Sequence, residues 1–256
     1  MSAMLLEVDA LSKRYGGVQA VADVSFSVAE TSIHGLIGPN GAGKTTLFNL
    51  ITGFAAPDAG MVRLSGVRID GSSPAAIAAR GLLRTFQNLR LFANLSALEN
   101  VLIGAHLCGR AGLFATLWAT PGQRREEAAL AVQARALLER VGIADRAHVL
   151  ARNLPYGDQR RLEIARALAS GPRLLALDEP AAGMNATETE GLAALLRSLR
   201  ADGLTLLLIE HDMRLVMNLC DRLTVLDYGR VIADGTPVAV RKDPQVIEAY
   251  LGSAAA

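Results

Sequence analysis

Gly38–Pro39–Asn40–Gly41–Ala42–Gly43–Lys44–Thr45–Thr46 fits the spacing G-x-x-x-x-G-K-[ST], and its surroundings fit as well. Before it, Ile33–Ile37 is a short apolar run of the kind that forms a buried strand. After it, residues 45–52 (TTLFNLIT) read as a helix with Leu47, Leu50 and Ile51 on one face and Gly53 placed to end it. Strand, glycine loop and helix in that order is the setting of a phosphate-binding loop. The glycines let the chain bend so that successive N–H groups point inward at a polyphosphate, where the helix dipole adds a favourable field. In such a loop Lys44 supplies positive charge to the β- and γ-phosphates, and Thr45 a hydroxyl ligand for Mg²⁺. The competing reading is a glycine-rich turn that binds nothing; the match at every fixed position, in this context, argues against it.

The whole chain sets bounds on this reading. At 256 residues, one domain, or one domain with an inserted subdomain, is expected. A formal net charge of +1 provides no global field to recruit nucleic acid, so no nucleic-acid partner is expected. Cys108 and Cys220 show neither paired nor metal-ligand spacing and read as packing residues in a reducing compartment. Glu7 and Asp9 stand where a signal peptide would be basic and then apolar. The longest apolar candidate, 104–120, is interrupted by Gly109, Arg110 and Gly112, so a soluble chain is expected.

Taken in order, residues 4–9 and 21–28 are expected strands, the second with Val24, Phe26 and Val28 on one face. Tyr15 lies in the loop between them. Residues 61–64 and 67–69 suggest a short antiparallel pair, and Ser73–Pro74 opens a helix that Gly81 closes. A strand over 82–86 ends at Gln87. The pattern then turns helical. Ser96 and Glu99 are spaced as a capping box, and 124–141 repeats Leu130, Ala134, Leu137, Leu138 and Val141 on one side. A further helix covers 155–169. Residues 174–179 form a buried strand ending in Asp178 and Glu179. There follow a helix over 187–200, capped by Thr187 with Glu190, a strand over 204–209, His211, a short helix, and a hairpin of 223–227 with 230–233. Strands alternating with helices predict an α/β fold whose largely parallel sheet holds ligand at the strands' carboxyl ends.

The polar residues fall at those ends. Asp178 is placed to hold Mg²⁺ or its waters, and Glu179 to polarise a water in line with the γ-phosphate. His211 can hydrogen-bond the γ-phosphate, and Gln87 can see both Mg²⁺ and the attacking water. Each residue alone is as easily structural. Their convergence carries the reading.

At this point the sequence resembles the nucleotide-binding subunits of ATP-binding cassette (ABC) transporters, over nearly its whole length and in the family's order. The resemblance implies a P-loop NTPase (RecA-like) core with an antiparallel β subdomain and an inserted α-helical subdomain. Residues 1–87 and about 171–236 would form the ATP-binding core, about 88–170 the helical subdomain, and about 237–256 a C-terminal helical tail. Tyr15 matches the aromatic that stacks on adenine. Gly38, Pro39, Asn40, Gly41, Ala42, Gly43, Lys44, Thr45 and Thr46 match Walker A, Gln87 the Q-loop and residues 174–179 Walker B. Residues 182–185 match the D-loop, and His211 the switch histidine. The implied cofactors are ATP and Mg²⁺, the latter with Thr45, Gln87 and Asp178 around it. Glu179, His211, Gln87 and Lys44 would carry the chemistry.

Leu154, Pro155, Tyr156, Gly157, Asp158 and Gln159 occupy the place of the signature motif, which in the family meets the ATP held by a partner cassette. The usual motif is Leu-Ser-Gly-Gly-Gln. Pro155 therefore lacks both the seryl hydroxyl and a backbone N–H, and a lost donor to developing charge costs roughly a few kcal/mol. Asn185 stands where the D-loop usually has Asp. These departures, with the stretches Tyr-Gly-Asp-Gln-Arg-Arg-Leu-Glu and Ile-Glu-His-Asp-Met and the ending 244–252, are similar to the ATPase subunits of branched-chain amino-acid importers. The family then implies a second ATPase subunit (a heterodimer, or a homodimer), two transmembrane permeases, an external substrate-binding protein, and a peripheral place on the cytoplasmic face of the inner membrane. Segment 104–123 would mark the longer of the two ATPase types, and Leu89, Leu91, Phe92 and Leu95 either dock a permease helix or fill the subdomain core. Uptake of urea or amides, export of lipopolysaccharide, and a non-transport ATPase on ribosomes or DNA are the alternatives. The last is disfavoured by the single cassette, the lack of sustained heptads and the absence of basic excess.

Overall fold

Alternating burial builds one sheet and continuous apolar runs build another. In the computed structural model, which describes residues 3–106 and 121–252, β1 (Met4–Tyr15) and β2 (Val18–Ala29) turn residues such as Leu6, Val8, Val24, Phe26 and Val28 inward. With β4 (Ala59–Leu64) and β5 (Val67–Arg68) they form an antiparallel sheet ordered β2-β1-β4-β5. β3 (Ile33–Ile37), β7 (Leu174–Asp178) and β8 (Thr205–Ile209) are buried at every residue, as strands covered on both faces must be. They belong to a six-stranded sheet ordered β10-β9-β3-β8-β7-β6, completed by β6 (Leu82–Arg84), β9 (Arg222–Asp227) and β10 (Arg230–Gly235). Its pairs from β9 to β6 are parallel, and β10 is antiparallel to β9.

α1 (Lys44–Ile51) buries Leu47, Phe48, Leu50 and Ile51 in one cluster with Leu6, Val28, Leu36 and Leu207, residues of both sheets. The opposite face of the parallel sheet is covered by α7 (Met213–Leu219). A Cβ on Gly35 would stand 2.6 Å from Leu223 and 3.0 Å from the Cys220 sulfur, so β3 has room there only for glycine. Burial pushes the Cys220 thiol up to about 12, which leaves it an inert packing group, as the sequence suggests. α6 (Ala186–Ala201) turns Leu192, Leu195, Leu196 and Leu199 inward. The short helix α2 (Pro74–Ala79) is capped by Ser73, and α8 (Pro237–Val240) and α9 (Pro244–Gly252) follow β10.

These elements, with the rest of Met1–Arg84 and Arg173–Ala256, make one compact unit, and Thr85–Pro172 makes another. The second unit contains α3 (Ala97–His106), α4 (Pro121–Arg140) and α5 (Tyr156–Leu168). Ser96 and Glu99 close the expected capping box, the Glu99 carboxylate accepting from Ser96 N–H at 2.7 Å. α3 and α5 approach backbone to backbone, for a Cβ on Gly104 would lie 2.2 Å from the Arg166 carbonyl. Cys108 and most of segment 104–123 lie outside the described residues. Among those described, no helix is long and apolar enough to cross a membrane.

Three details differ from the sequence reading. β1 runs on from residue 9 to Tyr15 because the chain keeps pairing as a hairpin, with Lys13 opposite Val21 and Tyr15 opposite Val18. The strand expected over 82–86 stops at Arg84. The helix after β7 is capped by Asn185 and Glu188, not by Thr187 and Glu190, since its first turn begins at Ala186.

One buried group gives this core a measurable acid sensitivity. His34 is 1% exposed, and its Nε2 lies 2.8 Å from Thr224 Oγ1, which itself donates to Asp234 at 2.5 Å. Burial lowers the imidazole from 6.5 to about 4. The unfolded chain therefore binds the proton between these values and the folded chain does not. Stability should be independent of this group above pH 6.5, fall as pH drops toward 4, and level off below, with about 3 kcal/mol lost in all. Denaturant titrations across this range should show that slope, and His34→Gln should remove it.

Candidate functional site

The phosphate-loop segment sits at the carboxyl end of β3, and neighbouring backbone leaves it almost no choice of path. Gly38 has φ +149° and a Cβ there would stand 2.1 Å from the Leu226 carbonyl oxygen. Gly43, at φ +98°, would place a Cβ 2.3 Å from the Ala20 carbonyl oxygen. Gly43 is also the N-cap of α1 and offers no side chain to the helix's first N–H groups. Those donors and the positive end of the helix dipole are left to whatever enters the loop.

Lys44 folds back over this loop. Its Nζ donates to the carbonyls of Gly38 at 2.6 Å and Pro39 at 2.8 Å. Burial pulls the ammonium below its ordinary range, while the Glu179 carboxylate pulls the other way. A cavity of about 390 Å³ opens on this surface. It is lined by Asn40, Gly41, Ala42, Gly43, Lys44, Thr45 and Thr46 on one side and by Glu179, Tyr228 and Val18 to Ala20 on others. The expected loop residues and Glu179 are thus brought together. Tyr15 is half exposed at the tip of the β1–β2 hairpin, paired with Val18 and with the Lys13 ammonium 5.5 Å from its ring centre.

Both strand-end carboxylates of β7 are placed, and differently. Asp178 is buried and accepts from Arg84 at 2.7 Å. The same guanidinium donates to Asn49 at 2.6 Å and Thr52 at 3.1 Å, and lies 4.8 Å from the Phe48 ring. Glu179 adopts φ +46°, a conformation that costs a non-glycine residue on the order of 1–3 kcal/mol and that clusters at functional sites. Its N–H is tied to the Ile209 carbonyl at 2.9 Å, and its Oε1 lies 3.8 Å from His211 Nδ1. The His211 side chain is otherwise largely exposed.

Glu210, between β8 and His211, was not singled out from sequence. It is 1% exposed, accepts from the N–H of Ala181 at 2.9 Å and of His211 at 3.2 Å, and burial raises its carboxyl above the usual range. It ties the turn after Glu179 to His211. The signal was present: like Asp178, it is a carboxylate closing an apolar run, here residues 206–209. Arg84 was missed similarly, as a cation ending the short strand Leu82–Arg84.

In the second unit, Pro155 is the N-cap of α5, without a side-chain cap, and Gly157 in its first turn is buried. Leu154 is buried, and its carbonyl accepts from Gln159 Nε2 at 2.8 Å. Asp158 lies 4.0 Å from Arg146. Arg160 organises this end. Buried to 1% exposure, it donates to the carbonyls of Phe86 at 2.8 Å and Gln87 at 2.9 Å, to Glu163 at 3.1 Å and to the Tyr156 hydroxyl at 3.1 Å. The exposed Gln87 is thereby fixed by its backbone to the helix that carries residues 156–159. Leu89, Leu91 and Leu95 are partly covered, and Phe92 is 47% exposed.

Arg160 gives this arrangement a test. Arg160→Met keeps volume but leaves Glu163 buried without its guanidinium, and should lower the unfolding free energy by about 3–5 kcal/mol. Adding Glu163→Gln should recover part of that loss in the same denaturant titration.

Comparisons with known proteins bear on the family and the fold. The ABC transporter family model matches residues 21–182, and that of the branched-chain amino acid ATP-binding cassette transporter matches 230–256. The chain is 48% identical to the high-affinity branched-chain amino acid transport ATP-binding protein BraF of Pseudomonas aeruginosa, over 99% of this chain and 100% of that protein. It is 47% identical to LivG, the protein of the same description in Escherichia coli K12, with the same coverage. The crystal structure of the ADP conformation of an ATP-binding cassette of an ABC transporter superposes with a TM-score of 0.86 at 33% identity, covering 98% of this chain and 100% of that one. The α/β architecture described above is the ABC ATPase fold. The chain belongs to the ABC transporter family, in the group of its branched-chain amino acid transport ATP-binding proteins.

Proposed function

We propose that this chain is the ATP-binding and ATP-hydrolysing subunit of an ABC importer that drives uptake of branched-chain amino acids. The observation that carries the reading is one cavity in which the phosphate loop, Lys44, Thr45 and the strained Glu179 meet. Resemblance to full-length importer subunits supplies the cargo.

In this reading the loop N–H groups and Lys44 hold the β- and γ-phosphates, and the Lys44 ammonium trades its two carbonyl partners for phosphate oxygens. Tyr15 stacks on the adenine. Glu179 orients and polarises the attacking water, with His211 beside it at the γ-phosphate. Mg²⁺, when bound, neutralises charge developing on the β- and γ-oxygens. Thr45 and Asp178, with Gln87, would supply its oxygen ligands, and hard oxygen donors suit the ion. Among the described residues no group of three or more His, Cys, Asp or Glu could hold a metal by itself. A site of one hydroxyl, one carboxylate, one amide oxygen and the substrate's phosphates needs no such group.

Residues 1–87 and about 171–236 serve as the ATP-binding core with its β subdomain. About 88–170 serve as the helical subdomain with the signature, and about 237–256 as a C-terminal tail. Leu154 to Gln159 face the ATP of a second ABC ATPase subunit. Two transmembrane permeases hold the pair at the cytoplasmic face of the membrane, and an external binding protein delivers cargo. The exposed ring of Phe92 supports docking of a permease helix near residues 89–95.

Glu179→Gln should bind Mg·ATP with wild-type affinity while turnover falls about 10²- to 10⁴-fold. Lys44→Ala should weaken binding itself. Titration calorimetry and phosphate release separate the two. Unchanged turnover in Glu179→Gln would contradict the assigned role, and recovery of the wild-type chain from membranes without any permease would contradict the importer.

A further inference from the structure

Two of the oxygen ligands proposed for Mg²⁺ stand on different elements, Thr45 on α1 and Asp178 at the end of β7. One side chain of the same compact unit grips both elements. Arg84 closes β6, which runs beside β7 with Arg84 in register with Ala176. Its side chain is 7% exposed. Nη2 donates to Asp178 Oδ2 at 2.7 Å, and Nη1 to Asn49 Oδ1 at 2.6 Å and to Thr52 Oγ1 at 3.1 Å. The rings of Phe48 and Phe54 flank the guanidinium, with centres 4.8 and 5.5 Å from its carbon.

The two anchors on α1 are not scattered. Thr45, Asn49 and the C-cap Thr52 stand at i, i+4 and i+7, which places them along one face of the helix. The face that Arg84 holds is therefore the face that carries Thr45, one turn nearer the phosphate loop. Thr52 is fixed in its turn, its hydroxyl donating to the Phe48 carbonyl at 2.6 Å. A cation that only neutralised a buried carboxylate would need the single bond to Asp178. Two further bonds to α1, set at fixed angles by the planar fork, make Arg84 a strut between the elements. A carboxylate held at one oxygen keeps the other for a further partner, so the strut leaves Asp178 able to serve an ion.

We propose that Arg84 is a positioning residue for Mg²⁺, tying the Asp178 carboxylate to the Thr45 face of α1 and so setting how tightly the metal–nucleotide complex is held. The inference rests on the reading of the phosphate loop as the ATP site. Arg84 acts through Asp178 and α1, without itself touching ion or nucleotide.

Arg84→Lys keeps a positive charge beside Asp178 but cannot span the carboxylate, Asn49 and Thr52 together. Calorimetry of the full chain with the non-hydrolysable analogue AMP-PNP, in excess Mg²⁺ and again in EDTA, separates the two contributions. The variant should bind the Mg²⁺ complex about 10- to 100-fold more weakly, the scale on which partners of metal-ligating groups act. Its affinity in EDTA should stay at the wild-type value, because the loop N–H groups and Lys44 are untouched. Asn49→Ala keeps the Arg84–Asp178 pair and removes one anchor on α1. It should lose affinity in Mg²⁺ alone, by less than Arg84→Lys, and it carries the test if that variant does not fold. Equal losses in both conditions, or wild-type affinity in both with only a lower melting temperature, would reduce Arg84 to a structural counter-ion and overturn the proposal. Absence of binding by the unmodified chain in both conditions would instead remove the reading of the site, and this inference with it.

Discussion

Everything in the first unit depends on how closely backbone packs against backbone around residues 38–43. The Leu226 carbonyl on one side and the Ala20 carbonyl on the other come within 2.1 and 2.3 Å of where side-chain carbons would have to sit. Such an approach is possible only because each sheet is anchored elsewhere. α1 is wedged between them by four apolar side chains, and β3 is flanked in the parallel sheet by β8 and β9. The loop is thus a rigid lining whose shape is imposed from outside, which is what a site made of backbone N–H groups requires.

The charged groups around it are arranged by the same logic. Asp178 and Glu179 are neighbours in sequence yet live in different surroundings, one paired with Arg84 in a buried network and the other strained into the cavity wall. Removing a charge from the first network would leave its partner uncompensated, whereas removing the second would take away the carboxylate that favours the Lys44 ammonium. Glu210 adds a third carboxylate with purely architectural partners, the N–H groups of Ala181 and His211. Three acids at strand ends therefore divide into one held by a cation, one exposed to the cavity and one spent on backbone.

Much of this was legible in the sequence because it is written in local pattern. The glycine spacing, the buried runs at 33–37 and 174–178, and the polar residues that close them need no knowledge of tertiary structure. So too for the Ser96–Glu99 cap. The cap of α6 was misassigned because two overlapping boxes, Asn185–Glu188 and Thr187–Glu190, both satisfy the spacing, and only the point at which the chain leaves the turn after Glu179 decides between them. Arg84 and Glu210 escaped notice for another reason. Their meaning lies in partners 94 and 29 positions away, and nothing local distinguishes an arginine that will meet Asp178 from one that will meet water.

The way both sheets stop has a consequence for the chain before it finds any partner. β5 has two residues and β6 three, so two of the four outer edges offer scarcely a rung of free hydrogen-bonding groups. The long outer strand β2 is broken at Asp23, whose φ of +56° and charge interrupt the pleat, and β10 slips register between Val231 and Ala233. An incoming strand from another copy finds no flat, continuous template on any side. Aliphatic strands this apolar would otherwise present a template for fibrous association, and the short and bent margins interrupt that template.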